Sequence, residues 1–418
     1  MLMDRPAHFL LFAVGALALA ATAGAQEPLT GAEAWRRVLA ASPELAVLAE
    51  ERDAVAGEAE QARRLPNPQI SAELANAIGT GAYQGVRGSE TTVQLSQTYE
   101  RASKRDLRRR FAEASLPVSE ADLAVKLADL RLRTARAFTT VLVAQAQTAL
   151  QLDAVGLANR IVETVHRQHE AGQASGLELA RAKVGLTAAQ VAADAAATAL
   201  AQARLVLAAQ WGGIAADFPG VVGSLEVADA LPDAAALAAN LEAAPDLQRF
   251  PAEERRRELA VAVEKSALTR DVTVAGGVRY LREGRDAAFV VGVSVPLLLN
   301  HQNQGAIRAA KARQRQVPLE AAKVRLALRA ELADNVATLV SAQREAAALT
   351  RDVLPAAEEV VRQNEAALAQ GRTTLLSILE AQRTLLDARE RRLDAVSRFL
   401  QAQAVVERLT RAVEPSST

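Results

Sequence analysis

The sequence predicts a mainly α-helical protein, built from long antiparallel coiled-coil hairpins joined to four short β-strands. Three observations carry this. A helical, alanine-rich pattern runs from about Gln304 to Leu368, which at ~1.5 Å per residue reaches roughly 100 Å, wider than a compact domain. A glycine turn in QGRTTLLSILEAQ (370–382) ends that pattern, and AGQASGLELARAK (171–183) places a similar turn 199 positions earlier. Four short segments alternate apolar and polar residues with the period-two signature of strands.

The two turns belong to an internal duplication. LTGAEAWRRVLAASPEL (29–45) aligns with LPDAAALAANLEAAPDL (231–247) at a constant offset of 202, matching Leu29/Leu231, Leu39/Leu241, Pro43/Pro245 and Leu45/Leu247. The first repeat is read as 26–212 and the second as 231–412, followed by a tail at 413–418. Gly212, Gly213, Pro219, Gly220 and Gly223 mark the junction, with the linker at 213–230.

Each repeat reads as a helix, two strands, a very long helix, the turn and a returning helix. In the first, SPELAVLAEERDAVAGEAEQARRL is the opening helix, and Pro66 and Pro68 stop it. PQISAELA and ETTVQLSQTYE are its strands; DVTVAGGVRYL and AFVVGVSVPLLL are those of the second repeat, giving four per chain. Pro318 and Pro355 are the expected kink points of the longest helix. Leu319, Ala322, Leu326, Ala330, Ala333, Ala337 and Val340 recur at three and four spacing, which reads as a small-residue seam between paired helices. The hairpins then reverse at Gly172 and Gly371, glycines suited to a backbone conformation that side chains resist.

Composition bounds the function. The 418 residues are half apolar, with 49 basic and 49 acidic side chains, so the whole surface does not select a polyanion such as nucleic acid. Residues 1–25 read as a secretory signal: MLMDRPAHF, a short apolar run, then Ala23-Gly24-Ala25. The chain has no cysteine, which excludes disulfides and an N-terminal lipidated thiol. No run of eighteen apolar residues follows residue 25, so no transmembrane helix is expected and a membrane crossing would require a barrel. Four strands fall short of the roughly eight that close one, so several copies would have to contribute.

Two patterns favour insertion. Tyr83, Tyr99 and Tyr280, all the tyrosines of the chain, lie in or beside the strands, and tyrosine favours bilayer interfaces. Basic clusters mark every strand–helix junction: Arg63 and Arg64; Lys104, Arg105, Arg108, Arg109 and Arg110; Arg255, Arg256 and Arg257; Arg308, Lys311 and Arg313. Gathered at one level they would form a belt for anionic lipid headgroups. Ordinary solvation of helix starts is the competing reading. The run KRDLRRR lacks the interleaved aromatics of a nucleic-acid site.

LPAAEEVVRQNEAALAQGRTTLLSILEAQRTLLDARERRLDA (354–395) resembles the most recognisable segment of the TolC-like outer-membrane efflux proteins, and LTGAEAWRRVLAASPEL resembles their opening segment. The resemblance implies a homotrimer whose four strands per chain make a twelve-stranded membrane β-barrel in the outer membrane, with a helical tunnel in the periplasm. It also implies a passive export duct that meets a periplasmic adaptor (a membrane fusion protein) and an inner-membrane RND pump. VSVPLLLNHQNQG (293–305) and LSQTYERASKR (95–105) resemble the heavy-metal, CzcC-like branch, from which Leu298, Leu299 and Ser103 depart. Export of drugs or organic solutes, type I secretion, and a periplasmic coiled-coil scaffold without a pore are the alternatives.

No nucleophile, acid–base or metal constellation points to an enzyme or a cofactor. His166 and His169 share a helix face before the first tip, and His301 stands alone; two solvated histidines are the simpler reading, and a channel gains nothing from tight cation binding. By resemblance, Glu380 lines the periplasmic constriction, with Ser377 standing where another acid is common; Glu178, placed after the first tip turn, is read as its neighbour, and a solvated helix face is the competing reading for both acids. Gly172, Ser175, Gly371, Arg372, Thr373, Thr374 and Leu375 form the tips that would dock an adaptor.

Overall fold

The computed structural model describes residues 28–411 apart from 229, 232 and 298–301. The expected signal segment, the tail, Leu298, Leu299 and His301 lie outside the described residues.

The first half opens with β1 (Leu29–Thr30), α1 (Gly31–Ala41) and α2 (Pro43–Ala62), continues through β2 (Gln69–Ala75) and β3 (Glu90–Tyr99), and then enters α3 (Lys104–Glu113), α4 (Ser115–Glu170) and α5 (Gly176–Ala209). Thr30 caps α1, its hydroxyl accepting from the Glu33 N–H, and Pro43 starts α2, where a missing N–H costs nothing. The second half follows as β4 (Val221–Val222), α6 (Ala234–Asn240), α7 (Pro245–Gln248), α8 (Phe250–Ser266), β5 (Val272–Leu281), β6 (Asp286–Ser294), α9 (Gln304–Ala348), α10 (Leu354–Ala369) and α11 (Leu375–Thr410).

Pro318 sits inside α9 without ending it. Pro355 is handled differently: a π turn at Leu349–Val353 separates α9 from α10. The turn spans Arg351, whose carbonyl is the one Pro355 cannot bond, so the wider ring falls where the α ladder loses a donor.

The strands form one antiparallel sheet in the order β2-β3-β5-β6, with Ile70 opposite Leu95, Val93 opposite Val278 and Val278 opposite Phe289. This register sorts the side chains by face. Ile70, Leu74, Val93, Leu95, Val278, Phe289, Val291 and Val293 share one face and are exposed, Phe289 at 91%. Glu73, Glu90, Thr92, Gln94, Ser96, Thr273 and Arg279 share the other. Tyr280 is opposite Thr91, eight residues along β3 from Tyr99, about 27 Å along the strand.

The slab stays four elements wide below the sheet. Against one another lie α2 and α3, α3 and α8, α8 and α9; farther down lie α5 and α4, α4 and α11, α11 and α10. One edge is therefore β2, α2 and α5, and the other β6, α9 and α10. Two apolar cores fasten the middle. Leu29, Val38, Leu130, Val141, Leu207, Trp211, Phe218 and Val221 make one, and Leu241, Leu247, Phe250, Leu328, Leu332, Phe399, Val405 and Leu409 the other.

Three expectations need correction. The chain has more than four strands, because β1 pairs in parallel with β4, clipping the linker to the start of the first repeat. The stripe through Leu319, Ala322, Leu326, Ala330, Ala333 and Ala337 does not form the intrachain seam. Leu319 and Leu326 are exposed, and α9 packs instead through Val317, Leu328, Leu332, Leu339, Ala342 and Ala346. Periodicity identified a face but not its partner. Finally, the helix of 104–170 and α5 each contain an 18-residue stretch apolar enough by composition to cross a membrane. Alanine supplies that apolarity, and it serves equally for close helix packing, so the stretches carry little weight as spans.

Candidate functional site: the sheet faces and the hairpin tips

Both tips are built alike. Gly172 and Gly371 have φ of +72° and +67°. The Gln173 N–H donates to the Gln168 carbonyl at 2.8 Å and Gly172 to His169 at 2.9 Å; Arg372 donates to Ala367 at 2.9 Å and Gly371 to Leu368 at 3.0 Å. Each is the paired hydrogen-bond pattern of a Schellman helix end, which needs a left-handed residue at the glycine.

The next helices start with side-chain caps. The Glu178 N–H donates to Ser175 Oγ at 3.2 Å, and the Ser175 N–H and hydroxyl donate to Glu178 Oε2 at 2.7 and 2.9 Å. This reciprocal capping box holds the Glu178 carboxyl below its ordinary range, the Ser175 backbone N–H contributing most. At the second tip Ser377 N–H donates to Thr374 Oγ1 at 3.3 Å, with no acid to complete the box. Thus Glu178 is engaged in its own turn.

The hairpins are fastened together near their tips. Ile161, Val165, Ala182, Leu368, Leu375 and Ile378 form one core there, and the Gln168 side chain donates to the Leu368 carbonyl at 2.6 Å. Farther up, Gln147 and Gln151 both donate to Glu390 Oε1, at 3.0 and 2.7 Å. Between these ties lies a cavity of about 600 Å³, bordered by Leu157, Ile161, Gly185, Val361, Leu379, Gln382, Arg383 and Arg389. The amide nitrogen of Gln382 is buried without a partner.

Glu380 lies on α11 nine residues past Gly371. Leu375, Ile378, Ala381 and Leu385 form the packed side of the helix, whereas Leu376, Glu380, Thr384 and Asp387 share an exposed stripe. No ion pair joins Glu380 to Arg383 among the described residues. His166 and His169 are engaged locally: His166 Nδ1 is 3.7 Å from Glu170, and His169 Nδ1 is 2.9 Å from the Ala174 carbonyl oxygen. Among the described residues no three or more His, Asp or Glu side chains gather as a metal cluster.

The basic junctions are largely compensated, contrary to a free cationic belt. Arg63 and Arg109 meet Glu113, each at 2.8 Å; Lys104 meets Asp271 at 2.9 Å; Arg256 and Arg257 meet Glu253 at 3.0 and 2.6 Å. The hydrogen bond from Arg109 leads the influences that hold the Asp106 carboxyl below its ordinary value. Among the described residues Arg308, Lys311 and Arg313 carry no such partner. The paired carboxylates come from other elements or other helix turns, which a linear reading of basic runs does not register.

On the polar sheet face, Arg279 lies 3.2 Å from Glu90 and donates to Thr92 Oγ1 at 3.1 Å, while the Asn76 amide donates to Glu90 at 3.1 Å. The arrangement joins a one-sided apolar sheet, whose two edges are unpaired among the described residues, to helical hairpins that end in paired turns.

The family signature described as "Outer membrane efflux protein" matches residues 34–213 and 236–411. The chain is 29% identical over 382 residues to the cobalt-zinc-cadmium resistance protein CzcC of Cupriavidus metallidurans, covering 91% of this chain and 90% of that protein. It is 26% identical over 272 residues to the nickel-cobalt-cadmium resistance protein NccC of Alcaligenes xylosoxydans xylosoxydans, covering 65% and 61%. In fold it is similar to CusC, solved in a study of folding and transmembrane channel formation: TM-score 0.74 at 15% identity, covering 92% of each chain. With the family signature spanning both halves, the chain belongs to the outer membrane efflux protein family and is a protein of the outer membrane with a periplasmic helical tunnel.

Proposed function

We propose that the protein is the passive, homotrimeric outer-membrane duct of a tripartite efflux system, and that heavy-metal cations are its cargo. The single observation that carries the duct is the sheet. One face is apolar and exposed, the other polar, and both outer strands are unpaired. In lipid an open edge is not tolerated, so three copies placing β6 beside the next copy's β2 would close twelve strands around the polar face. The pairing is antiparallel, as in the rest of the sheet.

In this reading the tips at Gly172, Ser175, Gly371, Arg372, Thr373, Thr374 and Leu375 dock a periplasmic adaptor, and an inner-membrane RND pump supplies the energy. Outer-membrane lipid contacts the apolar sheet face. Glu380 lines the constriction, and Glu178 stands beside it in its cap. The metal assignment rests on the resistance proteins to which the chain is similar.

The mature protein should therefore run as a trimer in detergent and form discrete conductances in planar bilayers. In cells carrying its pump and adaptor, deleting it should sensitise growth to divalent metals. A monomer without conductance overturns the duct; sensitivity to organic solutes with unchanged metal tolerance overturns the cargo.

A further inference from the structure

Of its twenty residues α2 buries only Ala59, and its exposed acids Glu51 and Glu58 have no ion-pair partner among the described residues. On the opposite edge, the first turns of α9 expose Arg308 and Arg315, likewise unpartnered, while their packed side is marked by Ala310 and Val317. Each helix also exposes one large apolar residue in that stretch, Val47 at 66% and Leu319 at 69%.

The spacings match. Glu58, Glu51 and Val47 stand four, eleven and fifteen residues from the strand-side end of α2 at Ala62; Arg308, Arg315 and Leu319 stand four, eleven and fifteen from the strand-side end of α9 at Gln304. Steps of seven and four keep each trio on one helix face. The two helices run in opposite directions, one toward the sheet and one away from it, so with their strand-side ends set side by side equal residue counts bring acid level with base and Val47 level with Leu319, about 22 Å from the helix ends.

We propose that this pair of faces is a clasp between copies of the chain: α2 of one copy lies along α9 of the next, with Glu58 meeting Arg308, Glu51 meeting Arg315, and Val47 packing on Leu319. The clasp rests on the trimeric reading above and adds to it the residues that set the register between copies. It continues the edge that β2 and β6 begin, which favours a second copy over lipid as the occupant. Charged pairs of this kind specify alignment more than they add affinity.

Because the native chain has no cysteine, the test is direct. Val47→Cys and Leu319→Cys in one chain should give a covalent trimer on oxidation, and either change alone should not. Glu51→Arg with Glu58→Arg should lower the yield of trimer and of the Val47–Leu319 cross-link, and adding Arg308→Glu with Arg315→Glu should restore both. A protein that remains trimeric without the cross-link, or whose assembly ignores the reversal, overturns the clasp while leaving the duct intact. Loss of anionic-vesicle binding rather than of trimer in Arg308→Glu/Arg315→Glu assigns that face to lipid and also overturns it. An unmodified chain that is monomeric overturns both readings.

Discussion

Arg408 on the last helix lies 2.6 Å from Asp246 on α7, a residue 162 positions earlier, and its guanidinium also reaches Asp129 on α4 at 2.7 Å. Only 9% of the Arg408 side chain is exposed. Burial works against the charge, but the hydrogen bonds and fields of Asp246 and Asp129 prevail, holding the guanidinium above its ordinary value. The contact with Asp129 thereby ties the end of the second half to the long helix of the first.

Removing one partner of such a pair strands the other charge. Asp246→Ala should cost about 3 kcal/mol of stability, whereas Asp129→Ala, whose carboxylate is more exposed, should cost under about 1 kcal/mol. Denaturant melts of the purified variants distinguish the two sites. Equal losses would mean that Asp246 carries no special part of the tie.

A second prediction concerns neighbouring glycines in β5. A Cβ on Gly277 would overlap the Val93 carbonyl oxygen and stand 2.7 Å from Gln94 Cα, both backbone atoms that cannot turn aside; at Gly276 a Cβ meets nothing within 4 Å. Gly277→Ala should therefore block sheet formation and trimer yield, while Gly276→Ala assembles normally. Outer-membrane fractionation and semi-native gels read both, and normal assembly of Gly277→Ala would show that β3 and β5 can separate without penalty.

Much of this architecture was legible because its signals are local. Alternation placed β2, β3 and β5 within a residue or two, and the glycines at 172 and 371 marked turns whose positive φ the structure shows. What was hidden depends on partners far away in sequence. The Leu319 stripe had helical period but no indication of what it faces, and Arg408, Asp129 and Asp246 form no motif because they meet only after folding. The two-residue strands β1 and β4 are too short to alternate. Glu178 carries a local signal besides its place after the turn, because Ser175 three residues before it spells a capping box.

That capping box makes the first tip sensitive to acid. The folded carboxyl of Glu178 is held below its unfolded value, so its contribution is complete above about pH 4.5 and is lost as pH falls through the folded value. Protection of the Ser175 and Glu178 amides, taken relative to the intrinsic exchange rate at each pH, should fall in that acid window, and Glu178→Gln should flatten the dependence. The second tip, capped by Thr374 without an acid, should show none of it. Equal acid sensitivity at both tips would locate the effect elsewhere.

The last prediction tests Glu380 as a pore residue. Nine residues beyond Gly371 is two and a half helical turns, roughly 13 Å in from the tip. Its side chain lies on the exposed stripe of α11 with Leu376, Thr384 and Asp387, away from the packed side, and no ion pair reaches it among the described residues. If that stripe faces the axis of three copies, three carboxylates converge, repel one another and attract cations into the constriction. In planar bilayers Glu380→Gln should lower cation preference and weaken block by multivalent cations, with trimers intact. Glu380→Lys should reverse the preference, and both effects should shrink at high salt as the charges are screened. Asp387→Asn, about 10 Å farther along the same stripe, should have a weaker effect of the same sign. Unchanged selectivity and block in both Glu380 variants, at low salt and with trimers verified, would put the stripe on the outside of the tunnel and remove Glu380 from the pore.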